Sequence, residues 1–166
     1  MKIVSSLSLI LLSGLVSAPA WAQTAKPTVA ADTPAKPLIT AMTSEQFQKV
    51  IQAMGFECTR GKTDGKDDSF FTFRAEGYKV AAFFHDASYL ELYNAFTDVN
   101  PTLATINEWN QKNSFSRAYV DKDGNAVLEN DLILTGGVSS DSIELFVKTF
   151  RDSVARWARF ALERKK

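Results

Sequence analysis

The chain carries one histidine, His85, and one cysteine, Cys58, and these two side chains bound most of the chemistry open to it. His85 stands next to Asp86, and a His–Asp pair can act as a general base and its orienting group. Neighbours in a strand point to opposite faces, however. The spacing therefore favours a surface histidine at a strand end over a catalytic pair. Cys58 has no second cysteine to bond within the chain. It reads first as a small apolar core residue, and second as an intermolecular disulfide or a redox thiol. Zinc sites built from two or more His or Cys are excluded, and neither a metal nor a cofactor is expected.

Two acidic loops invite a calcium reading: Asp64-Gly65-Lys66-Asp67-Asp68 and Asp121-Lys122-Asp123-Gly124-Asn125. In the second, Gly124 falls at the fourth position rather than the sixth, and no glutamate closes the loop at the twelfth. Lys66 and Lys122 also stand where a cation would sit. Both loops are better explained as turns that use Asp and Gly for their geometry. Gly136-Gly137 lacks the surrounding lysine and hydroxyl pattern of a phosphate cradle.

Charge and the chain's start narrow the class. Nineteen basic residues balance nineteen acidic ones in a chain of 166, which argues against nucleic-acid binding by phosphate neutralisation. Met1-Lys2 precedes an apolar run, Ile3–Val16, and then Ala20-Trp21-Ala22 and Gln23. This is the layout of a cleaved export signal, with the cut expected at Ala22/Gln23. The run is about 14 residues, short of the roughly 20 needed to span a membrane. Residues 1–22 are thus expected as a signal peptide and the mature protein as periplasmic, without a transmembrane segment. Residues 23–42, with Pro27, Pro34 and Pro37, are expected as a flexible spacer. Residues 43–166 then form one folded domain.

Within that domain, Thr43 and Gln46 are spaced as a capping box ahead of the stripe Phe47, Val50, Ile51 and Met54. Strands are expected over 56–60, 69–76, 78–86 and 89–97. Glu76-Gly77 suits a two-residue hairpin. Its register places Ala75 opposite Tyr78, Phe73 opposite Val80 and Phe71 opposite Ala82 on one face. Phe70 opposes Phe83, Thr72 opposes Ala81 and Arg74 opposes Lys79 on the other. Phe70 and Phe83 are either part of an exposed contact patch or covered by a helix, and large apolar side chains favour cover. Asn100-Pro101 is expected to open a second helix. A second hairpin turns at Lys122-Asp123-Gly124, and a long helix closes the chain from Ser139 or Ser140. In that last helix Ile143, Phe146, Val147, Phe150, Val154, Trp157 and Ala161 share a face. Lys148–Asp152, Asp152–Arg156 and Arg159–Glu163 are spaced as ion pairs on the other side.

The runs Ile106-Asn107-Glu108-Trp109-Asn110 and Phe115-Ser116-Arg117-Ala118-Tyr119-Val120 are followed by Asp123-Gly124, Leu128-Glu129 and Gly136-Gly137-Val138. Together they resemble the YbjN-domain family, labelled as bacterial sensory transduction regulators, over about residues 43–160. The resemblance implies an α+β fold like that of type III secretion chaperones, an antiparallel β-sheet packed by helices. It supplies no catalytic residues. The strand count read from the residues is one higher than the family's at the start of the domain. An export signal also sets this chain apart from a cytosolic regulator.

Trp109, Asn110, Arg117 and Tyr119 have two readings. They line a partner or ligand groove, or Trp109 packs in the core while Asn107 and Asn110 bond backbone at a helix–strand junction; the second is preferred. The overall expectation is an exported, non-catalytic binding or chaperone-like protein linked to sensory or stress regulation, with a protein or small ligand as partner and a homodimer as one assembly. The alternative is a small periplasmic enzyme using carboxylates or Cys58.

Overall fold

Strand alternation and helix periodicity sort the apolar residues onto a single side of one sheet. The computed structural model describes residues 36–61, 70–97 and 99–164. The expected leader, the first part of the expected spacer and the acidic loop at 64–68 lie outside the described residues. The described chain runs α1 (Ser44–Ala53), β1 (Cys58–Arg60), β2 (Phe70–Ala75), β3 (Tyr78–Asp86), β4 (Tyr89–Phe96), α2 (Leu103–Lys112), β5 (Arg117–Val120), β6 (Ala126–Ile133) and α3 (Ser140–Leu162). The fold is α+β. Its six strands form one sheet in the order β1-β2-β3-β4-β6-β5, and every pairing is antiparallel.

The capping box closes as its residues dictate. Thr43 Oγ1 accepts from the Gln46 backbone N–H at 3.2 Å, and the Gln46 side chain accepts from the Thr43 N–H at 2.8 Å. The β2–β3 hairpin has the register its residue types require, from Phe70↔Phe83 to Ala75↔Tyr78. Its turn places Glu76 at φ 52° and Gly77 at φ 83°, both in the left-handed region that a tight, right-twisted hairpin needs. The early strand beyond the family's count is present as β1, three residues long.

One face of the sheet is the core. Phe71, Phe73, Val80, Ala82, Leu90, Leu92 and Leu128 are all buried there. Against them lie Phe47 and Ile51 of α1 and the seven-residue face expected of α3, every member of which is buried. Phe47 packs its ring 5.9 Å from Phe71 and 5.8 Å from Phe84. Trp109 of α2 meets Trp157 of α3 edge-on at 5.1 Å, so α2 joins the core through α3.

Three expectations are corrected. Residues 36–42 dock onto the domain instead of forming the end of a spacer. Ile39 bridges Val138, the Met42 N–H donates to the Ala87 carbonyl at 2.7 Å, and Met42 is buried. Ile39 and Met42 thus dock at two separate places along the domain, one on each side of Thr40-Ala41. The second helix begins after Pro101, because Thr102 takes the cap and its Oγ1 accepts from the Thr105 N–H at 3.1 Å. On α3, Lys148 pairs with Glu144 and Arg151 with Asp152. Arg164 reaches Glu108 of α2 at 3.5 Å, so the cations pair with nearer or inter-helix acids than those expected.

Leu92 is fully buried at the middle of the sheet. Leu92→Ala is expected to cost about 2–5 kcal/mol in urea unfolding. Leu145→Ala, on the solvent side of α3, is expected to stay within about 0.5 kcal/mol.

Candidate functional site: the uncovered face of the sheet

The other side chains of the same strands form a second face, and the described helices lie opposite it. Across its strands Thr72 stands opposite Ala81, Ala81 opposite Tyr93, Tyr93 opposite Glu129, and Glu129 opposite Arg117. A parallel row holds Phe70, Phe83, Glu91 and Asp131. Arg74 and Lys79 pair at the hairpin end.

Aromatic rings dominate the centre. Phe70 and Phe83, for which helix cover was expected, are half-buried and stacked on each other at 5.1 Å. Phe83 meets Tyr93 edge-on at 5.9 Å. The Phe70 ring lies so close over Gly61 that an added Cβ there would come within 2.0 Å of it, so glycine is what lets the ring lie down. Thr72, Ala81 and Ala95 are small, and they leave a shallow depression of about 210 Å³ between the rings and the Lys79 stem.

Charged groups hold the remainder. Glu129 is buried on this face, and its carboxylate pairs with Arg117, whose side chain is 69% exposed. The Arg117 guanidinium also lies 5.6 Å from the Tyr119 ring centroid. His85 Nε2 lies 2.8 Å from Glu91 Oε2, and its ring stacks on Tyr89 at 4.5 Å. The Tyr89 hydroxyl donates to Asp131 Oδ1 at 3.0 Å, which raises the Tyr89 pKa. Burial, chiefly, raises those of Tyr93 and Tyr119. The three phenols are therefore neutral donors near neutrality.

This arrangement suits binding better than bond making. His85 does find an acid, but it is Glu91 on the next strand; Asp86 instead accepts from the Ser88 N–H and hydroxyl at 2.6 and 2.8 Å. Cys58 packs against the core on the covered side, and burial pushes its thiol pKa up, disfavouring the thiolate. Thiol and imidazole thus lie on opposite faces of the sheet.

The four residues read as a groove are not brought together. Arg117 and Tyr119 stand on the open face. Trp109 is buried on the other side, between Trp157 and Phe160. Asn110 sits at the sheet's edge, where its Nδ2 donates to the Ala118 carbonyl at 3.0 Å and its Oδ1 accepts from the Ala118 N–H at 2.9 Å. One carboxamide thereby satisfies both outward backbone groups of an edge-strand residue. Asn113, not the exposed Asn107, makes the neighbouring bond, from Nδ2 to the Trp109 carbonyl at 3.1 Å. Tyr93, Glu91, Glu129 and Asp131 belong to the open face but were missed from sequence. The alternation of β4 about Leu90 and Leu92 could have found Glu91 and Tyr93; the acids of β6 required knowledge of its partner strand.

The Asp121 loop spends its carboxylate on its own turn. Oδ1 accepts from the N–H groups of Asp123 and Asn125, at 3.0 and 2.8 Å, and Oδ2 from Asn125 Nδ2 at 2.8 Å. Bonding to the Asn125 side chain, above all, holds its pKa below the usual 3.8.

A sheet with helices on one face and an aromatic and charged surface on the other defines an α+β domain with one open sheet face. The chain belongs to the YbjN family, described as "Putative bacterial sensory transduction regulator", which matches residues 43–163. Among solved structures it is similar to an uncharacterized protein from Methanothermobacter thermautotrophicus, with 12% identity and a TM-score of 0.51 over 74% of this chain and 98% of that one. That likeness is one of fold. It is also similar to the Yersinia pestis type III secretion chaperone SycH, solved with a stable fragment of YscM2, at 12% identity and a TM-score of 0.46 over 67% of this chain and 95% of that one. No curated protein matches the chain.

Two outcomes follow. Asn110→Ala is expected to cost about 1–3 kcal/mol and to speed hydrogen exchange at the Ala118 amide, with Asn107→Ala nearly neutral. A carboxyl held below its unfolded pKa stabilises the fold fully above that value and loses the contribution as the pH falls on through its lower folded pKa. Asp121→Asn should therefore lose less stability than the wild type between about pH 6 and about pH 3, as read by urea unfolding.

Proposed function

We propose that this chain is an exported, non-catalytic binding protein of the bacterial periplasm, chaperone-like in action, that engages a protein partner through the open face of its sheet in sensory or stress regulation. The observation that carries the reading is the cluster Phe70–Phe83–Tyr93, three large rings left on a face that the described helices do not cover. Large aromatics with polar surroundings are what a protein contact surface concentrates. The depression beside them, about 210 Å³, lies open on a broad face and does not enclose a ligand, which suits a protein surface. The family's description as a regulator supports a binding role, and the Met1–Gln23 layout supports export. None of the described helices is long and apolar enough to cross a membrane.

The test is crosslinked capture from intact cells of the wild type and a Phe70→Ser/Phe83→Ser variant, with mass spectrometry of both bait and prey. A defined partner should be recovered with the wild type and be depleted roughly tenfold with the variant, and the bait should begin at Gln23. That loss corresponds to about 1.4 kcal/mol, within the range of one interface anchor. Equal recovery with a folded variant would reject the open face, and a bait that still begins at Met1 would reject export.

A further inference from the structure

The open face is polarised, and its polarity is spaced like a helix. At the hairpin end stand Arg74 and Lys79, both exposed. Toward the other end, Phe83 faces Glu91 and Glu91 faces Asp131. Between the two charge groups lies the depression over Ala81, walled by the Phe70 and Phe83 rings on one side and the Lys79 stem on the other. Lys79, Ala81 and Phe83 follow one another at two-residue steps on β3, so each step along the face is about 6.6 Å. Four residues of an α-helix rise about 6.0 Å and return to nearly the same side.

We infer that the open face receives an amphipathic helix laid along β3, with an apolar anchor at one position, an acid four residues to one side and a base four residues to the other. This helix rests on the open-face reading above and gives the partner its chemistry. The anchor, a leucine or phenylalanine, enters the depression over Ala81. The acid meets Arg74 and Lys79, and the base meets the exposed Asp131, beside the Glu91–His85 pair. The motif is acid-x-x-x-apolar-x-x-x-base or its reverse, because turning the helix end for end restores the same charge match. A sheet whose other face is already packed by helices accepts a helix here by the same layering.

Arg117 does not compete for the acid, because it is held by the buried Glu129 on β6. His85 already pairs with the largely buried Glu91, so the acid left open at that end is the exposed Asp131. The face therefore keeps one basic and one acidic end, with the anchor position midway.

Three fluorescein-labelled alanine-based helical peptides test this on the full chain by anisotropy. They share a central leucine and carry, four residues to either side, an acid and a base, two acids, or two bases. The acid–leucine–base peptide is expected to bind roughly five- to tenfold more tightly than either of the others, the range two exposed ion pairs allow. Arg74→Glu/Lys79→Glu should shift the preference to the two-base peptide, and Phe83→Asp should abolish binding while circular dichroism shows the fold retained. Equal affinity for all three peptides, or no binding by the wild type, overturns the helix inference while a Phe83-dependent partner in cell capture leaves the open-face reading standing. Undiminished peptide binding by a folded Phe83→Asp variant overturns both.

Discussion

A β-strand sends alternate side chains to opposite faces, and this chain supplies described helices for one face only. Everything else in the structure follows from that inequality. The covered face collects Phe71, Phe73, Leu90, Leu92 and Leu128 beneath α1 and α3, and this burial is what holds the domain together. The uncovered face must satisfy itself in water. It does so by stacking Phe70 on Phe83, by setting Arg117 over the buried Glu129, and by tying His85 to Glu91 and Tyr89 to Asp131. The rings are partly shielded by one another and remain available to a partner.

The sheet's edges obey a related constraint. An edge strand presents unpaired backbone groups, which invite other chains. At β5 the Asn110 carboxamide takes both groups of Ala118, so the side chain acts as a short piece of added strand. The paired tryptophans of α2 and α3 hold that helix in place. Trp109 and Asn110, adjacent in sequence, thus divide the closure of this edge between them. The tryptophan anchors the helix, and the asparagine caps the strand.

Local patterns were legible and distant partners were not. The capping box at Thr43, the hairpin register from Phe70 to Phe83 and the buried face of α3 are each written within about twenty residues of chain, where periodicity and turn chemistry act. The placement of β6 between β4 and β5 is a long-range pairing that no local period encodes. The acids Glu129 and Asp131 could not be put beside Tyr93 and Glu91 without it. Helix cover for Phe70 and Phe83 was the ordinary expectation for large apolar residues, and it failed because the described helices pack on the other side. The end of the spacer was misread for a similar reason: Ile39 and Met42 find partners at Val138 and Ala87, far along the chain.

The proposed role rests on the open face acting as a contact surface. A photoreactive amino acid placed singly at Tyr93 on the open face, or at the exposed Leu103 of helix α2, measures this most directly in living cells. If the open face is the working surface, position 93 yields one strong, discrete crosslinked product and position 103 none of comparable yield. Discrete products from position 103 alone would contradict it and move the working surface to the helical side.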